Sequence, residues 1–229
     1  MNTYSKTLKI AGLVLATGSL IAVPNAFADN TASAFYDGAA GMIGAAALAA
    51  GECDAEGYCK VLETVLSNAG TPKDLVIGLS FETMLMTNTS VKSKGGSLSS
   101  STADAVIKMK VLVDGVEADP GAVTFDKRTQ TLWAKLGGVL DCADSSGDGV
   151  ITFDECTLTE EEIGLILDTA QASTFNFLKQ NIGSGSHTIT AYAQLTKDGV
   201  VVGSGASDAS AALGKGTLSV WEVHGAVNN

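Results

Sequence analysis

The stretch Asp144-Ser145-Ser146-Gly147-Asp148-Gly149-Val150-Ile151-Thr152-Phe153-Asp154-Glu155 places oxygen-bearing side chains at its first, third, fifth, ninth and twelfth positions, with glycine at the sixth. Oxygen donors at that spacing suit a hard cation. Ca²⁺ takes six to eight oxygens at about 2.3–2.6 Å, so a short segment must wrap around the ion to supply them. Gly149 falls where such a wrap reverses direction, and glycine reaches positive φ without a Cβ clash.

The twelve residues resemble the calcium loop of the EF-hand family. The resemblance implies side-chain oxygens from Asp144, Ser146 and Asp148, the backbone carbonyl of Val150, Thr152 directly or through water, and both carboxylate oxygens of Glu155. It also implies that Ile151 points into the core. Ser146 departs from the family, which favours Asp or Asn at the third position. Three carboxylates remain, and an extracellular-type affinity on the order of 10⁻⁴–10⁻³ M is expected. Downstream, Thr159-Glu160-Glu161-Glu162 reads as a capping box, and Ile163, Ile166, Leu167 and Ala170 recur at helical spacing, predicting an exit helix over 160–172. No entry helix is predicted: Gly137-Gly138 interrupts the chain, and residues 131–136 read as a strand. The prediction is a single loop on another scaffold. Asp54-Ala55-Glu56-Gly57 is acidic but in the wrong order for a second one.

Four cysteines allow three pairings. The local one, Cys53 with Cys59 and Cys142 with Cys156, is favoured, because its second bond closes the base of the loop. Zinc ligation lacks the usual spacing.

Residues 1–28 read as a bacterial secretory signal: Lys6 and Lys9, an apolar run over 10–23, and Ala26-Phe27-Ala28 as the cleavage site. Export suits paired cysteines. The expected location is secreted, cell surface or periplasm, with no transmembrane segment in the mature chain. The formal charge is −11, and removing two lysines takes it to −13. Arg128 is the single arginine, so nucleic acid is excluded as a partner class.

The expected architecture is mainly β: an antiparallel β-sandwich over 72–229, with a calcium-loop and helix excursion at 137–180, after an Ala/Gly-rich helical segment over 29–71. That segment comprises a close-packed helix at 39–51 and a short helix at 59–68 with Val61, Leu62, Val65 and Leu66 on one side. From Pro72 the period changes to two. Leu75, Ile77, Leu79 and Phe81 alternate with polar residues, as do Ile107, Met109, Val111 and Val113, then Ile189, Ala191, Ala193 and Leu195. Asp114-Gly115 predicts a tight hairpin. Residues 90–101 predict an exposed loop, and Lys197-Asp198-Gly199 a turn. The stretches 74–83 and 183–190 resemble parts of uncharacterised exported bacterial proteins, a likeness that carries no activity.

No nucleophile elbow, zinc-protease motif or phosphate loop occurs, and His187 and His224 have no evident catalytic partners. No enzyme is expected. The sequence points to an exported, calcium-binding, disulfide-stabilised protein with a structural or interaction role at the cell surface or in the extracellular matrix. The rivals are a fibre-like subunit self-associating by strand exchange, and a module for surface glycans or a glycan hydrolase, with Trp133, Tyr192 and Trp221 as stacking candidates.

Overall fold

In the computed structural model the described residues are 31–36, 43–68, 72–93, 96–137, 140–158 and 162–223. The secretory-signal reading of 1–28, the proposed N-cap Thr159, and His224 lie outside them. The strands are β1 (Thr31–Tyr36), β2 (Ile43–Gly44), β3 (Cys59–Asn68), β4 (Lys73–Lys92), β5 (Leu98–Val113), β6 (Val116–Glu117), β7 (Val123–Lys135), β8 (Leu140–Cys142), β9 (Cys156–Leu158), β10 (Glu162–Gln171), β11 (Thr174–Ile182), β12 (Gly185–Val202) and β13 (Ser204–Val223). One four-residue helix, α1 (Ala45–Leu48), and a 3₁₀ turn at Phe153–Glu155 complete the described elements.

Two antiparallel sheets face each other. The first has the order β1-β13-β4-β11, with β2 beside β13; the second has the order β10-β7-β5-β12-β3, with β6 beside β5. The alternating strands named above meet between them. Leu75, Ile77 and Leu79 of β4, Ile107, Met109 and Val111 of β5, Ile189 and Ala191 of β12, and Leu218 and Val220 of β13 are all fully buried, with Phe125 and Phe177 among them. Period-two patterning thus puts one side of each strand into a single core. The expected hairpin is present: Val113 pairs with Val116 across Asp114 and Gly115, at φ 50° and 79°. Positive φ at both turn residues suits the right-handed twist of the flanking strands.

Helix is where the sequence misleads. Residues 59–68 form β3, paired with β12; Leu62 and Leu66 are buried while Val65 is 54% exposed. Apolar residues four apart share a face in a strand as well as in a helix, so the spacing does not discriminate. These residues belong to the sandwich, not to a helical preface. Of the helix expected over 39–51, residues 39–42 lie outside the described set, and only Ala45–Leu48 is helical. The expected exit helix is strand β10, matched residue for residue to Asp126 through Lys135 of β7. A long strand edge on β7 pairs the backbone groups of alternate residues along all ten positions, and weak helical periodicity does not outweigh that. The excursion is correspondingly shorter than 137–180, since β10 and β11 are sheet strands.

Two polar segments also fold into the sheets. Lys197, Asp198 and Gly199 do not turn the chain; β12 runs straight through them, paired with Ala105, Asp104 and Ala103. Gly199 lies close to β13: a Cβ there would overlap the Ser207 hydroxyl unless that side chain rotated away. In the segment expected as an exposed loop, Ser99 and Ser101 are buried, donating to the carbonyls of Lys92 and Ala206. A bonded hydroxyl removes the penalty that would otherwise keep serine outside.

Gly216 gives a test of the packing. A Cβ there would collide with the ring of Phe81, itself 5% exposed. Gly216→Ala is expected to destabilise by about 1–3 kcal/mol, the usual range for overpacking, read from denaturant midpoints.

Candidate metal centre

The acidic loop sits between β7 and β10, paired strands whose ends meet at Lys135 and Glu162. Within that connection, β8 and β9 form a three-rung ladder, Leu140 with Leu158, Asp141 with Thr157 and Cys142 with Cys156. The last rung is also a disulfide, and Cys53 is bonded to Cys59. Both expected pairings are present, and no described cysteine is free. The loop is therefore the tip of a sulfur-closed β-ribbon, not the middle of a helix pair.

Its carboxylates organise its backbone. Asp144 Oδ1 accepts from the N–H groups of Gly147 at 2.6 Å and Asp148 at 3.2 Å and from the Ser146 hydroxyl, while Oδ2 accepts from Gly149 N–H at 2.8 Å. Glu155 reaches across the loop. Its Oε1 accepts from the N–H groups of Ser145 at 3.1 Å and Ser146 at 2.8 Å, and its Oε2 from Thr152 N–H at 3.1 Å. Asp148 Oδ1 takes the N–H of Val150 at 2.8 Å. Gly147 and Gly149 hold φ of 74° and 81°, the left-handed conformations that allow the reversal. A capping box is present at Thr152 and Glu155, seven residues before the one read from Thr159 and Glu162. The Thr-x-x-Glu pattern occurs at both places, and only the neighbouring turn tells them apart.

These bonds to the ionised form hold the acids charged. Donation from Thr152 and Ser146 N–H takes Glu155 down to about 2, and Gly149 N–H is the largest cause depressing Asp144. Both remain carboxylates through mildly acidic conditions, the state a hard cation requires.

Not everything fits. Ile151, expected in the core, is 55% exposed, as are Val150 at 60% and Phe153 at 80%. Among the described residues no three acidic, histidine or cysteine side chains converge closely enough to hold a metal. Asp144 and Glu155 are turned into the loop, but Asp148 is engaged with Val150 N–H rather than gathered with them. The donors are oxygens, but the three carboxylates do not converge on one point.

Elsewhere, Asp54 of the first disulfide turn accepts from the N–H groups of Glu56 and Tyr58, and binds Lys110 Nζ at 2.7 Å. Its acids are structural. The three aromatic candidates do not share one face; Tyr192 stands on β12 beside Lys60 and Lys110. Trp221 lies on the outer face of the first sheet against Gly78, whereas Trp133 lies on the outer face of the second against Gly164.

His187 is the described histidine. Its Nδ1 stands 2.6 Å from Asp114 Oδ2 and its Nε2 2.9 Å from Gly183 O. Two acceptors call for two N–H donors, so the charged imidazolium is favoured. The Asp114 bond is the largest cause raising its pKa. A raised pKa means stabilisation that is complete below the unfolded value of about 6.5 and lost as pH climbs through the folded value. The melting temperature is expected to fall as pH rises above about 6.5, and His187→Gln to flatten that slope.

No helix among the described residues is long and apolar enough to cross a membrane. No protein-family model, curated protein or solved structure matches the chain.

Proposed function

We propose that the chain is an exported β-sandwich that binds calcium in the loop 144–155, with a structural or interaction role outside the cytoplasm. The observation that carries this reading is the inward orientation of the Asp144 and Glu155 carboxylates inside a loop closed by Cys142–Cys156. Asp144, Ser146, Asp148, the Val150 carbonyl, Thr152 and Glu155 would hold the ion. They supply only oxygen, from three charged and three neutral groups, which suits Ca²⁺ over a softer metal.

The role of the N–H bonds follows from their geometry. They satisfy the loop's backbone before any ion arrives, so the loop is partly organised in advance and binding orders less chain. Two disulfides support an oxidising compartment.

Calorimetric titration of the full chain with CaCl₂ tests the reading, with MgCl₂ as control. One site per chain in the range of about 0.1–1 mM is expected, since two of the six ligand positions are uncharged side chains. Absence of heat at 10 mM calcium, or an equal response to magnesium, removes the proposal.

A further inference from the structure

β10 is an edge strand whose apolar side chains are covered by none of the described residues. Ile163, Leu165 and Leu167 are paired with Ala134, Leu132 and Gln130, on the same side of the second sheet as buried Ala134. They point inward, yet they are 67%, 56% and 53% exposed. The reason is a gap in the other sheet. β11 pairs only with Lys73 through Ser80 of β4, and residues 82–92 of β4 have β13 on one side and no described strand on the other. Among the described residues the first sheet has no strand there, directly above β10. A cleft of about 270 Å³, lined by Thr83, Leu85, Asp126, Arg128, Thr169 and Gln171, opens at its base.

We propose that a second copy of this chain fills the gap with its own β10, forming a closed twofold dimer. A two-layer sandwich with one sheet a strand short is complementary to itself. Rotation by 180° about an axis parallel to the strands places the longer sheet of one copy beside the shorter sheet of the other. Each β10 then completes the neighbour's short sheet, and each contact is made twice, as an isologous interface requires.

Direction, register, face and charge all agree. Thr83 bonds Asp126 and Thr87 bonds Gln130 across the sandwich, 43 residues apart in both cases, so β4 and β7 run the same way. β10 runs opposite to β7, so the incoming β10 meets β4 antiparallel. Carrying the same offset along β7 sets Glu162 of the second copy opposite Lys92, Leu165 opposite Thr89, and Leu167 opposite Thr87. Inward residues meet inward residues, since one pleat separates the two faces. The Ile163, Leu165 and Leu167 side chains of both copies close on one another as a continuous core. Glu162 finds an opposite charge, and the strand between it and Asp168 carries none of the charged residues or prolines that usually blunt a free edge. The new ladder would span the ten residues of β10.

Sedimentation equilibrium of the full chain should give a dimer that dissociates on dilution, equally in calcium and in EDTA, because the interface uses none of the loop's ligands. Failure of calcium binding therefore leaves this result untouched, and the converse holds. Leu165→Lys should yield a monomer with an unchanged circular dichroism spectrum, as the side chain is already exposed. For position, Asn88→Cys combined with Ile166→Cys should give a covalent dimer on oxidation. Within one copy these residues lie on opposite outer faces of sheets about 10 Å apart, whereas in the dimer they are cross-strand neighbours within disulfide reach. A monomer at every concentration, a dimer indifferent to Leu165→Lys, an open-ended polymer, or a dimer without the 88–166 bond would each overturn the proposal.

Discussion

Glu155→Gln is expected to weaken calcium binding by more than about 100-fold, since even partners one shell removed from a metal are worth 10–100-fold. The residue has two jobs in the loop. As a carboxylate it would give the ion two oxygens; without the ion it gathers the N–H groups of Ser145, Ser146 and Thr152. The amide keeps one acceptor and loses the charge. The parent should gain about 1.4 kcal/mol at calcium ten times Kd, from RT ln(1 + [L]/Kd). In a domain of this size that amounts to roughly 3–6 °C in melting temperature. The variant should gain nothing from calcium, while in EDTA its melting temperature stays within a degree or two of the parent, because the loop is exposed and remote from the core. A variant that still rises with calcium would place the ion elsewhere.

Replacing Cys142 and Cys156 together by serine is the second large effect. Their bond closes a loop of sequence separation 14, for which chain entropy gives roughly 3 kcal/mol. That stabilisation is local. β8 and β9 share only three rungs, and without the sulfur bridge a two-stranded ribbon of that length is marginal. The outcome to expect is not global unfolding but a freed tip. Protease should cut between 143 and 155 in EDTA, and calcium affinity should fall by up to about 100-fold, the equivalent of the lost closure energy. Calcium should in turn protect the loop from cleavage. The pair Cys53 and Cys59 offers the comparison: its removal leaves the calcium response intact.

The calcium reading and the disulfide clamp reinforce each other because they act on one turn. Sulfur fixes the two ends, the N–H bonds of Asp144 and Glu155 fix the interior, and an ion would draw Asp148 into the remaining position. Each device lowers the conformational entropy the next must remove.

What the sequence determined by itself is local. Alternation at Leu75 to Phe81, Ile107 to Val113 and Ile189 to Ala193 specifies strands buried on one side, because a pleated strand sends neighbouring side chains to opposite faces. Asp114-Gly115 specifies a tight turn, because two consecutive positive φ angles admit few other residues. Nearness along the chain sufficed for the two sulfur bridges, and the oxygen spacing at 144–155 marked the loop. Tertiary structure decided the rest. Whether Ile163 to Ala170 and Val61 to Leu66 became helix or strand depended on β7 and β12 offering free ladders to them, and those partners lie tens to more than a hundred residues away. Lys197 to Gly199 and Ser99 to Ser101 look like loops in composition, yet neighbouring strands supply the bonds that let them lie flat. The gap above β10 has no signature in the sequence at all. It exists because the pairing of β11 with β4 stops at Ser80 while β4 continues to Lys92, and only the assembled sheets reveal that one strand's apolar side is left uncovered by the described residues.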